Sequence, residues 1–379
     1  MGERVVVAMS GGVDSSVAAL LEKQAGSEVI GITMQMYDQG RDHKSGKRQG
    51  CCALDDTLDA RRVAEHLEIP HYVLNHEVEF QETVVRPYVE DYLSGRTPSP
   101  CVRCNTYVKF DALLMRARAL GATTLVTGHY AGIVPGLDGG PVLCEGIDLS
   151  KDQSYFLFGI PGSALRSTRF PLWRYTKKEI RAFALEAGLP TAGKPESMET
   201  CFVGEEGPAG FVEKVAPKLG LSLPETGKFV DEEGSVLGSH SGVHNFTVGQ
   251  RKGLGIATGS RTFVREIDAD TGNVHVGSRD QLLSQGLSAK GSNWFGKTPE
   301  IGSEFRARIR HGHRGVAARL TSLTGDGFEL EFLEPVFAVA PGQAVVLYRE
   351  NMVAGGGWIS ESFEGRLASV MGGGMNESG

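Results

Sequence analysis

The chain opens on an apolar run, Val5 to Met9, and then alternates strand-length apolar stretches with amphipathic stretches as far as about Val126. Val29 to Met36 and His71 to Leu74 read as strands, and Ser15 to Gln24, Leu54 to Leu67 and Phe110 to Leu120 as helices; Thr123 to Thr127 is a further strand. Strands without a polar face, each followed by a helix, predict a parallel sheet covered on both sides. In such α/β sheets ligands bind at the loops after strand ends, and Gly128, His129 and Tyr130 form one such loop. The polar stretch between Met36 and Cys51, with Lys44, Lys47 and Arg48, reads as a mobile, solvent-facing loop.

The texture changes near residue 208. A short helix, Phe211 to Leu219, leads into Gly-rich, strand-length pieces through Val276, which suggests a small linker-like domain over 208–279. Beyond Asp280 short strands alternate with Gly turns: Glu304 to Arg310, Val316 to Leu323, Phe328 to Phe332, Ala344 to Tyr348 and Met352 to Ile359. That spacing predicts a compact β-barrel over 280–362, with a disordered tail at 363–379. Residues 1–207 form the first domain, and a length of 379 residues agrees with more than one core.

A net charge of −7 argues against a broadly basic nucleic-acid surface and leaves room for local patches. Two stand out: Gln250, Arg251 and Lys252, and the run Arg306, Arg308, Arg310, His311, His313 and Arg314, which reads as an RNA-facing patch or as a solvated strand face. Six cysteines in this length do not resemble a secreted disulfide framework. With no leader and no apolar run near about 18 residues, a monomeric cytoplasmic protein without membrane insertion is expected.

Residues 10 to 16 read SGGVDSS, between the first strand and the first helix. Two glycines allow successive amides to point into one concavity, and the helix dipole adds positive potential, so Ala8, Met9, Ser10, Gly11, Gly12, Val13, Asp14 and Ser15 are candidate phosphate-binding residues. A Walker loop is excluded, because no lysine follows until Lys23. The plain alternative is an ordinary α/β turn. Asp14 suits a Mg²⁺ ligand or a cap on the helix. The SGGxDS pattern resembles the pyrophosphate loop of ATP pyrophosphatases, which implies cleavage of ATP between its α- and β-phosphates and an adenylated substrate.

Cys101 and Cys104 form a CxxC within TPSPCVRCN, read as a Pro-punctuated loop before a helix from Lys109 to Leu120. A thiol near a helix start and near Arg103 gains thiolate character. Taken alone, the pair stays open between redox chemistry, metal binding and coincidence. Cys51 and Cys52 read as buried at the start of the next helix, and Cys144 as a small core residue.

Together with the loop, the segments TGHYA at 127–131, KDQSYFL at 151–157, METCFVG around Cys201 and FTVGQRKGLGI at 246–256 resemble the tRNA-specific 2-thiouridylases, the MnmA or TrmU family. The resemblance spans nearly the whole chain. It implies a pyrophosphatase-type domain of the adenine nucleotide α hydrolase-like fold, a small central domain and a C-terminal barrel. It also implies ATP and Mg²⁺ as cofactors, a tRNA anticodon loop as partner, and a sulfur donor such as a cysteine desulfurase or relay protein. By that likeness the wobble uridine C2 oxygen is adenylated and replaced by sulfur. Cys201 would carry a persulfide and Cys104 would be the partner nucleophile, the two forming a disulfide. Met34 and Gly128 would lie beside the adenine, and Ser99, Pro100 and Cys101 beside the target base. His129, Lys151, Asp152, Gln153, Arg310, His311 and Gln343 would contact tRNA, and Gly193, Gly204 and Gly207 would let the Cys201 segment fold over the site.

One position departs from the pattern. Many members carry aspartate where this chain has Cys101, so Cys101, Cys104 and Cys201 could also hold a [4Fe-4S] cluster with one iron open to sulfide. Persulfide and cluster delivery both stand. Two further readings are adenylation followed by attack of ammonia or an amine, and a nonenzymatic nucleotide-binding or iron-sulfur regulator of RNA.

Overall fold

The computed structural model describes residues 2–37, 54–136, 138–196 and 200–363. The expected mobile loop, Cys51, Cys52 and the expected disordered tail lie outside the described residues, apart from Tyr37 and Phe363 at their edges. Among the described residues no helix is long and apolar enough to cross a membrane.

The first sheet is parallel. Strands β1 (Arg4–Ala8), β2 (Glu28–Gln35), β3 (His71–Asn75) and β4 (Thr124–Thr127) stand in the order β3, β2, β1, β4, with Thr168–Arg169 at the far edge. Val5, Val6 and Val7 are all fully buried, because neighbouring side chains on β1 feed opposite cores. Val5 and Val7 pack with Val17 and Ala18 of helix α1 (Val13–Gln24) and with Ala60 and Val63 of helix α2 (Leu54–His66). Val6 packs on the other face with Ile32, Leu113 and Leu125. The chain runs outward from β1 through β2 to β3, then returns to place β4 on the other side of β1. The crevice between the carboxyl ends of β1 and β4 is therefore a topological switch point, where open α/β sheets bind ligands.

The middle of the chain holds a four-stranded sheet, Gly227–Val230, Val236–His240, Phe263–Asp268 and Asn273–Gly277, around its own core of Phe229, Phe246, Val264 and Val274. The C-terminal region is a six-stranded antiparallel barrel, closed by pairing of Leu283–Trp294 with Met352–Phe363. The sequence reading did not mark Leu283–Trp294, a strand rich in Ser and Gly whose inward side is carried by Leu287 and Ala289. A hairpin from the first domain, Ala131–Pro135 with Pro141–Glu145, adds to the barrel sheet through Cys144 opposite Met352. Cys144 is fully buried there, as expected of a core residue.

One local expectation changes. The CxxC does not lie in a loop, because residues 100–119 are helical throughout: Pro100–Arg103, a π-helical stretch Cys104–Lys109, then Phe110–Ala119. Pro98 and Pro100 suggested a loop, yet proline at the first helical position is favourable, since its missing N–H has no partner to lose. π-helical turns are rare and concentrate at functional sites.

Candidate active site

The register Ala8↔Thr127 sets the ends of β1 and β4 side by side, so the loop Met9–Gly12 lies against Gly128 and His129. A cavity of about 220 Å³ opens there. Ala8, Met9, Ser10, Asp14, Ser15, Met34, Gly128, His129 and Gln153 of the expected site residues line it, together with Met36, Lys109 and Phe110. Gly11 adopts φ +72°, and a Cβ there would stand 2.1 Å from the Asp56 carbonyl oxygen, so this turn requires glycine. Gly128 is held for space alone: a Cβ would meet the Asp14 carbonyl carbon and the Ser15 nitrogen at 2.8 Å.

The loop is tied by its own hydroxyls. The Ser10 amide donates to Ser15 Oγ at 3.1 Å, and Ser15 and Ser16 donate to the Gly12 carbonyl at 3.1 and 2.8 Å. Gly12, not Asp14, is the N-cap of α1, so the expected capping by Asp14 is replaced by another role. Its carboxylate accepts from Lys177 Nζ at 2.7 and 2.8 Å and from the Tyr130 hydroxyl at 2.7 Å. Protein donors thus reach both oxygens, and each carboxylate oxygen keeps lone-pair capacity that fits a magnesium ion arriving with a nucleotide.

Sequence reasoning placed Lys151 against tRNA and missed Lys177, Arg181 and Lys194 around this loop. Lys194 donates to the Gly11 carbonyl at 2.9 Å and pairs with Asp56 and Asp59 at 2.5 and 2.7 Å. Lys151, Lys177 and Arg181 converge on Glu196, at 2.7, 3.5 and 3.8 Å. The Lys151 ammonium, with Lys177 adding, holds the Glu196 carboxyl below the usual range. The available signal was Thr176-Lys177-Lys178-Glu179, a capping box with lysines where a helix start favours acids.

His129 closes the cavity beside Phe110, with its Nδ1 2.7 Å from Thr127 Oγ1. Burial, with Lys109 adding, pushes its pKa down to about 3, so the ring is neutral at physiological pH. Gln153 accepts from the Tyr130 amide at 3.0 Å, and Lys151 is half-buried on Glu196. Asp152 is 2% exposed; it binds Arg308 at 2.7 Å and accepts from the Ser154 hydroxyl at 2.9 Å. The expected tRNA contact at the Asp152 side chain is therefore corrected to an internal anchor, because its carboxylate faces the barrel. Arg306 and Arg308 are likewise committed, to Glu145 and Asp152, whereas Arg310, His311 and Arg314 remain exposed on the turn. His311 stacks on Phe156 at 4.4 Å.

Cys104 and the Cys201 segment sit at the end of β2. Buried Cys104 lies 3.8 Å from Met36 Sδ, and Met36 is part of the cavity wall. Cys201 is half-buried; its neighbour Phe202 packs on Tyr37 at 6.1 Å and edge-on to Tyr88 at 5.1 Å. Cys101 is exposed on the same helix, and Arg103 is turned away to stack over Trp358 of the barrel at 5.3 Å. Ser99 is buried and Pro100 half-buried. The barrel holds the approach to them, since Gln343 donates to the Thr97 and Pro98 carbonyls at 3.3 and 2.9 Å. Among the described residues no three His, Cys, Asp or Glu side chains are grouped to hold a metal. Cys101 is thus the exposed thiol, Cys104 the buried one and Cys201 the half-buried one.

Comparison with known proteins agrees with these parts. The family described as tRNA methyl transferase HUP domain matches residues 3–205, the tRNA methyl transferase PRC-barrel domain 220–278, and the aminomethyltransferase beta-barrel domain 284–359. The chain is 49% identical over 368 residues to a protein of Geotalea uraniireducens (strain Rf4) named tRNA-specific 2-thiouridylase MnmA, covering 97% of each chain. Proteins of the same name from Koribacter versatilis (strain Ellin345) and Geobacter metallireducens (strain ATCC 53774 / DSM 7210 / GS-15) are 46% and 47% identical. They align over 94% of this chain and over 99% and 96% of their own lengths. With its α/β first domain, small middle sheet and closing barrel, the chain belongs to the tRNA-specific 2-thiouridylase MnmA family.

Proposed function

We propose that this protein converts a wobble uridine of tRNA into 2-thiouridine with ATP, as a cytoplasmic monomer served by a persulfide-carrying donor protein. One observation carries the reading: the cavity lined by Ser10, Asp14 and Ser15 shares the end of β2 with Cys104, through Met36. Nucleotide and sulfur chemistry thus meet at one strand end. Residues 1–207 perform the chemistry, and residues 280–362 present Arg310, His311 and Arg314 to the RNA.

The adenine lies toward Met34 and Gly128, and the polyphosphate lies on the loop amides. The uridine C2 oxygen attacks the α-phosphorus and pyrophosphate leaves with the electron pair of the broken bond. The terminal sulfur of a Cys201 persulfide then attacks C2 and AMP departs. Cys104 thiolate attacks Sγ of Cys201; the sulfur–sulfur bond breaks, sulfur stays on the base, and a Cys104–Cys201 disulfide remains for an external dithiol to reduce. Water exclusion protects both the adenylate and the persulfide. Cys101 stands beside the target base as a contact.

Anaerobic thiolation of unmodified tRNA, with ATP and a persulfide donor, tests this. Cys104→Ala and Cys201→Ala should abolish sulfur incorporation while Cys101→Ala retains it, without iron in the purified protein. Loss of activity in all three variants together with protein-bound iron would replace the persulfide route. Methyl addition, read by mass, would replace thiolation itself.

A further inference from the structure

At the mouth of the phosphate loop three cations converge on one carboxylate. Lys151, Lys177 and Arg181 all face Glu196, Lys177 also pairs with Asp14, and Asp148 accepts from the Lys177 amide at 3.0 Å. Lys177 is only 12% exposed and sits in the first turn of helix Lys177–Glu186, where the helix dipole disfavours a cation. Its ammonium is nevertheless turned onto Asp14 of the loop and over the Tyr130 ring at 5.6 Å. An ordinary surface lysine would avoid both burial and the dipole. Glu196 contacts all three cations within 3.8 Å, although its carboxylate carries a single charge.

We propose that Lys151, Lys177 and Arg181 form the outer half of the site for the β- and γ-phosphates of ATP. Glu196 occupies that half as an internal counter-ion, which the phosphates displace. A polyphosphate brings several charges to cations that Glu196 meets with one, so exchange favours the nucleotide. Lys177 then neutralises charge growing on pyrophosphate as the α–β bond breaks, and no further reactant is needed. The inference rests on the adenylation reading above.

Equilibrium binding of Mg-ATP and, separately, of inorganic pyrophosphate to the full chain without tRNA tests it, for wild type, Glu196→Gln, Lys177→Met and the double variant. Glu196→Gln should bind pyrophosphate roughly fivefold more tightly, the equivalent of one partly exposed ion pair no longer broken. Lys177→Met should bind more weakly, and the gain from Glu196→Gln should shrink in its background. Lys177→Met also removes the partner of Asp14, so its folding is checked by circular dichroism and Glu196→Gln alone decides. Unchanged or weaker pyrophosphate binding by Glu196→Gln overturns the proposal, and intact ATP binding in that case leaves the adenylation reading standing. Tighter pyrophosphate binding without any ATP binding by wild type would leave the anion site and remove the reading. No binding of either ligand removes both.

Discussion

Gly11 and Gly12 are adjacent in the loop, yet the structure assigns them opposite tolerance to a methyl group. Gly11 has φ +72°, and its added Cβ would stand 2.1 Å from the Asp56 carbonyl oxygen, inside the first turn of α2. An L-residue in the left-handed region costs about 1–2 kcal/mol. Relief of the overlap must move either the loop or α2, which costs about 1–3 kcal/mol more. Gly11→Ala should therefore lose about 2–5 kcal/mol of stability and most ATP affinity, because Lys194 ties the Gly11 carbonyl to Asp56. Gly12 has φ −92° and ψ 163°, and its Cβ would meet only Ser10 Oγ at 3.5 Å, an ordinary contact. Gly12→Ala should unfold within about 0.5 kcal/mol of wild type. Urea denaturation followed by far-UV circular dichroism measures the first quantity, and calorimetric titration with ATP the second. Equal losses of stability in both variants, or a Gly11→Ala protein with wild-type stability and ATP affinity, would refute the argument from backbone angle and contact.

Three further outcomes are expected. Arg308 is 8% exposed against Asp152 at 2.7 Å and Glu145 at 3.5 Å, so Arg308→Met should cost about 3–5 kcal/mol in urea unfolding by stranding buried carboxylates, with partial recovery in an Arg308→Met/Asp152→Asn protein. Gln343→Ala removes both hydrogen bonds to Thr97 and Pro98 and should lower the thiolation rate while calorimetry finds ATP affinity unchanged, since the cavity wall is untouched. His129 has a folded pKa of about 3 against 6.5 for the free side chain, so between these values the unfolded chain binds the extra proton. Its share of stability is complete above pH 6.5 and falls as pH drops toward 3; His129→Gln should flatten that part of a stability–pH curve.

The parallel sheet, the barrel and the phosphate loop were legible along the chain, because each is written in local signals. Val5 to Val7 have no polar face, the late strands recur at short intervals between Gly turns, and SGGVDSS joins strand to helix with glycine where φ turns positive. Local signals failed where the meaning of a residue lies in a distant partner. Pro98 and Pro100 read as a loop, but Pro100 starts a helix whose approach is held by Gln343 from the barrel. Asp152 read as an RNA contact and Arg308 as part of an RNA-facing patch or a solvated strand face, yet they bury each other across two domains. Lys177, Lys194 and Glu196 carried no motif, and Lys151 stood in one that pointed to RNA, since only folding brings them to the loop at 10–16. Charge in a sequence does not say whether it faces solvent or another charge; the tertiary structure decides that, because Coulomb attraction and desolvation act over a few ångströms of space rather than along the chain.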